Sequence, residues 1–233
     1  MNLKAIINFF LDKMSIIHHE ILPFLKKQKM DKAILIMRED KVEKITPEDF
    51  YKIFEVEYLP TLFFNDLKIL KKVIRRCQRQ IKHGYIAEKE IWLGTYFEEN
   101  IKNYILPPVY IKWIDERKGY GLFSLVDLKK DTFIGEYTGH VRKYKKPKDN
   151  KNSYCFEYQI GEPSKSHFTI DAKYMGNVVR FINHSYTPNL TTFAAYSGQV
   201  MHIIMKTSQP IKKNTEFTYD YGIKYWKKRE KPL

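Results

Sequence analysis

The sequence predicts an α+β fold: a helical region over residues 1–104, a β-rich domain over 105–222 and a short basic tail over 223–233. Two observations predict it. Helix-capping signals and apolar stripes recur up to Tyr104, and after Pro107-Pro108 the pattern changes to short β-branched and aromatic runs. The charge distribution changes with it. Up to Tyr104 there are 19 basic and 15 acidic residues, and beyond it 22 and 12, within a formal net charge of +14.

In the first region, "TPEDFYKIFEVEY" opens with Thr46 as N-cap, Pro47 at the first helical position and Asp49 completing a capping box. "NDLKILKKVIRRCQRQIKHG" is the clearest helix. Asn65 is its expected cap, Leu67, Leu70, Ile74, Cys77 and Ile81 form one stripe, and Gly84 stands where a C-terminal glycine belongs. Its opposite face carries Lys71, Lys72, Arg75, Arg76, Arg79 and Lys82, which suits a solvated face or one that meets a nucleic acid or protein partner. The apolar stripe serves as an internal brace or a dimer contact.

In the second region "VYIKWID", "GLFSLVD", "TFIGEYTG", "YCFEYQIG", "HFTIDA" and "VMHIIMK" read as strands separated by Gly, Pro, Asp, Asn or Lys clusters. "RKYKKPKDNK" (142–151) reads as a basic loop between them. The only cysteines are Cys77 and Cys155, with no CxxC spacing, so neither a disulfide framework nor a structural zinc site is expected, and a reducing compartment suits the chain. The apolar stretch "LKAIINFFLDKM" is broken by Lys4, Asp12 and Lys13 and lacks a cleavage pattern, and no run reaches membrane-spanning length. A soluble, intracellular protein is expected.

Four segments in order carry a resemblance: "ERKGYGLFS" (116–124), "IGEYTG" (134–139), "IDAKYMGNVVRFINHSYTPN" (170–189) and "EFTYDYG" (216–222). Together they resemble the SET domain of protein-lysine methyltransferases, over roughly the C-terminal 55% of the chain. The resemblance implies several short sheets, with "RFINHS" threaded beside "YDYG" in a knot-like arrangement. It implies S-adenosylmethionine as cofactor and S-adenosylhomocysteine as product. The backbones of Lys118, Gly119 and Tyr120, the side chains of Asn183 and His184, and Arg180 would form the cofactor pocket. Tyr137, Tyr154 and Tyr221 match the tyrosines of the lysine channel, with Tyr221 in the catalytic position. Tyr219 stands where a hydroxyl restricts the product to mono- or dimethyl-lysine. Asn189 is expected to tie loop backbone together.

The chain departs from many histone-directed members of that family. Tyr186 replaces the zinc-binding cysteine after Asn-His-Ser, and the tail has no cysteines, so no zinc is expected. Trp226 is expected either to stack on the cofactor's purine or to anchor the C-terminal helix. A zinc-free, Lys-rich SET protein resembles the stand-alone SET proteins of intracellular bacteria such as the chlamydiae, for which the tail 224–231 would act as a nuclear-import signal in a host cell. The implied substrate is a lysine-containing protein, histone or histone-like, for which Glu136, Glu157, Glu162 and Asp171 are the available acids. The alternative is a chromatin- or nucleic-acid-binding module that keeps the fold without turnover, contacting nucleic acid through its basic surface.

Overall fold

The computed structural model describes residue 24, residues 34–161 and residues 167–227. "LKAIINFFLDKM", Glu162 and the end of the basic tail lie outside the described residues.

From residue 34 the chain forms strands where helix was expected. β1 (Ile34–Arg38) and β2 (Lys41–Ile45) form an antiparallel hairpin. Its two-residue turn, Glu39-Asp40, has both residues at positive φ (47° and 60°). That turn is ordinarily marked by Asn-Gly or Asp-Gly, so Glu-Asp conceals the hairpin from the sequence. Next comes α1 (Pro47–Phe54), with the anticipated capping box: Thr46 Oγ1 accepts from Asp49 N–H, and Asp49 accepts from Thr46 N–H. β3 (Glu57–Tyr58) follows, then α2 (Leu67–Lys82). α2 is capped by Asp66, whose carboxylate accepts from Lys68 N–H at 2.7 Å, and Asn65 is one residue too early. Leu70, Val73, Ile74, Cys77 and Gln80 are its buried face, while Leu67, in the first turn, is exposed. α3 (Glu88–Tyr96) and α4 (Glu98–Lys102) complete this region. α3 crosses the strand Leu190–Ser197 so closely that any side chain at Gly94 would meet the Tyr196 backbone.

The strands beyond are β4 (Val109–Asp115), β5 (Gly119–Ser124), β6 (Phe133–Glu136), β7 (His140–Lys143), β8 (Cys155–Glu157), β9 (Phe168–Asp171), β10 (Met175–Gly176), β11 (Asn183–His184), β12 (Leu190–Ser197), β13 (Val200–Thr207) and β14 (Thr218–Tyr219). The short helices α5 (Lys148–Lys151) and α6 (Ile223–Trp226) and a 3-10 turn (Val178–Phe181) lie among them. They make several small sheets, in orders β2-β1-β4-β5, β12-β13-β6 and β7-β9-β8, with the two-stranded pairs β3–β10 and β11–β14. This is the α+β, β-rich architecture the sequence predicts.

The helical and β-rich regions share one sheet and one core. β1 pairs in parallel with β4, β3 pairs in parallel with β10, and Phe63 bridges His140. Phe50, Leu62, Phe64, Leu70 and Cys77 are buried in the same apolar cluster as Ile111, Ile170, Val179 and Phe217. The stripe on α2 is therefore a brace within this chain.

Candidate active site

A turn, a 3-10 segment and a two-residue ladder build the site. Asp115 Oδ1 accepts from Arg117 N–H (2.9 Å) and Lys118 N–H (2.7 Å), folding the chain tightly before β5. Gly119 then takes φ +71°, which a side chain would resist, and the backbone of 118–120 faces an open cavity. Asn177 caps the 3-10 turn through Val179 N–H, bringing Arg180 to the wall and leading into β11.

β11 runs parallel to β14, with Asn183 opposite Thr218 and His184 opposite Tyr219. So short a ladder needs support from side chains. Asn189 supplies it: its amide donates to Glu216 C=O (2.8 Å) and its Oδ1 accepts from Thr218 N–H (2.9 Å). The expected loop-tying role is the observed one. The polar residues of "RFINHSYTPN" are thus accommodated by backbone groups of the crossing segment.

The resulting cavity is about 410 Å³, and all eleven anticipated residues line it: Lys118, Gly119, Tyr120, Tyr137, Tyr154, Arg180, Asn183, His184, Tyr219, Tyr221 and Trp226. Asn183 donates to Tyr120 C=O (3.2 Å) and to Glu216 Oε1 (2.9 Å), which orients its amide. Glu216 also accepts from Lys118 Nζ at 3.2 Å. His184 Nδ1 accepts from Tyr221 N–H at 3.1 Å, so in the neutral ring the proton lies on Nε2. That Nε2 and the indole N–H of Trp226 are both buried without a hydrogen-bond partner among the described residues. Two stranded donors in one cavity wall fit a ligand that brings acceptors. Arg180 is buried, donates to Ala172 C=O (3.0 Å) and lies 4.0 Å over the Tyr154 ring. No carboxylate among the described residues pairs with it, so its positive charge is available to the cavity.

The tyrosines form the other wall. Tyr221 donates to Ile182 C=O and Tyr137 to Tyr154 C=O, each at 2.9 Å. The Tyr219 ring lies 4.6 Å from that of Tyr221 and is stacked on Phe156. Burial pushes the phenols of Tyr137, Tyr219 and Tyr221 well above the ordinary tyrosine value, so each stays protonated and neutral. Trp226 stacks parallel to Tyr221 (6.0 Å, 7°) and meets His184 edge-on at 4.8 Å. It anchors α6 while keeping one edge on the cavity. Tyr186, the residue in place of a zinc-binding cysteine, packs edge-on against His184 at 4.6 Å.

The expected acids are placed differently. Glu136 is buried against His202 at 2.6 Å, Asp171 is bound to Arg142, and Glu157 is paired with Lys224. Each of these three acids is committed to a partner within the described residues, so none of them stands free as an available acid for a basic substrate.

A family model described as "SET domain" matches residues 119–222. That match takes in just under half of the chain. The chain is 32% identical over 114 residues to the histone-lysine N-methyltransferase Su(var)3-9 of Drosophila melanogaster, a match that covers 44% of this chain and 18% of that protein. To the histone-lysine N-methyltransferase SUV39H2 of Homo sapiens it is 31% identical over 118 residues, 46% of this chain and 28% of that protein. A solved complex of KRYPTONITE with mCHH DNA, H3(1-15) peptide and SAH aligns with a TM-score of 0.41 at 30% identity, over 49% of this chain and 23% of that one. The chain thus spans less than a third of the length of these relatives.

Sequence reasoning missed Glu216, which holds both Asn183 and Lys118, and Tyr225, whose ring lies 4.7 Å from that of Tyr221. Glu216 stands within the "EFTYDYG" segment, but nothing in its local pattern reveals a carboxylate that reaches back to β5. Tyr225 carried a signal in its position beside Trp226.

Proposed function

We propose that this chain is an S-adenosylmethionine-dependent protein-lysine N-methyltransferase, forming mono- or dimethyl-lysine on histones or histone-like basic proteins. The observation that carries the reading is the Tyr221 hydroxyl, buried at the wall of the cavity and committed as a donor to Ile182 C=O. Its lone pairs are left to face a reacting group.

When bound, the cofactor supplies a methyl group on a positively charged sulfur. Asn183, the His184 Nε2–H, the Trp226 indole N–H and the backbone at 118–120 would hold it, with Arg180 next to its carboxylate. The tyrosine wall desolvates an entering lysine, and that favours the neutral, nucleophilic amine over the ammonium form of pKa about 10.4. Tyr221 accepts from that amine and aims its lone pair along the channel, so rate comes from positioning and not from a covalent intermediate. Because burial keeps the Tyr221 phenol protonated, it orients and does not act as a base. The Tyr219 carbonyl accepts from Ser185 N–H, but its hydroxyl has no hydrogen-bond partner among the described residues, which leaves that hydroxyl to hold a water where further methyl groups would otherwise fit.

Incubation with methyl-labelled S-adenosylmethionine and a panel of histones and histone-like proteins, read by mass spectrometry, tests this. Labelled lysine that falls by roughly 100-fold or more in Tyr221→Phe is the expected result. A fully active Tyr221→Phe enzyme rules the mechanism out. The competing reading, a chromatin-binding module without turnover, is supported by the +14 charge and predicts no labelling at all.

A further inference from the structure

The strongest unexplained feature is the outer face of α2, remote in sequence from every cavity-lining residue. Its sixteen residues contain seven cations, Lys68, Lys71, Lys72, Arg75, Arg76, Arg79 and Lys82, and no acid. At 100° per residue these seven fall within an arc of about 140°, directly opposite Leu70, Val73, Ile74 and Cys77. None of the seven forms an ion pair among the described residues, and the Arg76 Nε is buried without a partner. Six lysines elsewhere, Lys52, Lys102, Lys118, Lys206, Lys212 and Lys224, each meet a carboxylate, whereas on α2 no cation does so among the described residues. A row of like charges one turn apart is self-repelling, and α2 tolerates it because apolar burial holds the other face.

We infer that the basic face of α2 is a docking surface for the phosphate backbone of duplex DNA. Three considerations select that partner. The charges are fixed on a rigid ridge about 24 Å long, so neighbouring phosphates along a groove can be neutralised together. A helix is 10–12 Å wide and the major groove about 12 Å, so a convex face of this kind follows it. An anionic membrane is a poorer match. The helices that bind membranes insert their apolar face, and the apolar face of α2 is spent on the protein core. The basic loop at 142–151 is a weaker candidate, because Arg142 is turned inward onto Asp149 and Asp171. DNA docking on this face does not rest on methyl transfer and stands or falls without cofactor.

The test is fluorescence anisotropy of the full chain with a short labelled duplex DNA of random sequence, from about 50 to 200 mM salt. Lys71→Gln/Lys72→Gln/Arg75→Gln/Arg79→Gln changes only exposed positions, and is expected to raise the Kd at least ~30-fold at the lowest salt. The slope of log K against log salt should fall by about 3–4, close to 0.9 for each phosphate that is no longer neutralised. On the unmodified chain, DNA should protect Lys68, Lys71, Lys72 and Lys82 from acetylation, a readout that does not depend on how the variant folds. Four outcomes overturn the inference: no DNA binding, an unchanged Kd and slope, no protection of those lysines, or equal affinity for phosphatidylserine vesicles. Loss of binding instead in Lys143→Gln/Lys145→Gln/Lys146→Gln/Lys148→Gln transfers the surface to the loop and overturns it as well.

Discussion

Two parallel ladders pair strands of only two residues each, and they are supported in different ways. β11–β14 lies at the cavity and is fastened by polar side chains: Asn189 bonds both Glu216 and Thr218, and His184 takes the Tyr221 N–H. β3–β10 joins the helical region to the β-rich region and is fastened mainly by burial, with Tyr58, Leu59 and Leu62 in or beside the apolar interior and Thr138 Oγ1, donating to Leu59 C=O and accepting from Asn177 N–H, as a polar clasp at its end. Two residues of ladder are too few to hold themselves, so each needs outside support. Polar support specifies where catalytic side chains point. Apolar support is tolerant of orientation and suits a brace.

Breaking the polar ladder should have the largest effect. Asn189→Ala leaves a half-buried carbonyl and a half-buried N–H without this partner, at roughly 1 kcal/mol each. Because Tyr219 is the last residue of β14 and Tyr221 stands two residues beyond it, methyl transfer should fall by more than the stability loss accounts for, which activity per folded molecule would measure. The same activity with an unchanged melting temperature would contradict the idea that side chains hold this ladder.

Breaking the apolar brace should read out differently. Leu59→Ala should cost about 2–5 kcal/mol and lower Tm by roughly 5–15 °C. Activity per folded molecule should stay near that of the unmodified chain at temperatures where the variant is folded. A selective loss of activity would mean the helical region shapes the cavity as well as supporting it.

A third experiment tests the buried polar pair beneath the site. His202 Nδ1 meets Glu136 Oε1 at 2.6 Å and Nε2 faces Ser197 C=O at 3.1 Å. Burial lowers the imidazole pKa, but the charge and hydrogen bond of Glu136 and the Ser197 carbonyl outweigh it, and the net shift is upward. A raised histidine stabilises the fold fully below its unfolded value of about 6.5, and that contribution is lost as pH rises through the folded value. Tm should therefore drop over the neutral to mildly alkaline range, and Glu136→Gln should flatten that drop. The smallest effect is expected for Tyr219→Phe: stability close to unchanged, with products moving toward trimethyl-lysine in the mass spectrum.

Much of the site was legible because its signals are local. The Gly119 turn, the "RFINHS" segment and "TYDYG" are each compact, their order along the chain carries the resemblance that named the site, and all eleven anticipated residues line one cavity. Capping chemistry made α1 and α2 legible for the same reason, to within one residue at Asp66. What escaped was either masked by unusual turn chemistry, as at Glu39-Asp40, or long-range, as in the reach of Glu216 to Lys118 and Asn183.

The sequence by itself determined the α+β class, the SET-domain segments, most strand positions and the cavity-lining set, because periodicity, caps and compact motifs are encoded between near neighbours. Only the tertiary structure decided that β1 extends the β4–β5 sheet, that Glu136 and Asp171 serve internal cations, and that the seven charges of α2 have no partner among the described residues. Those outcomes depend on which distant groups meet in space, and burial and ion pairing are properties of that meeting, not of the residues alone.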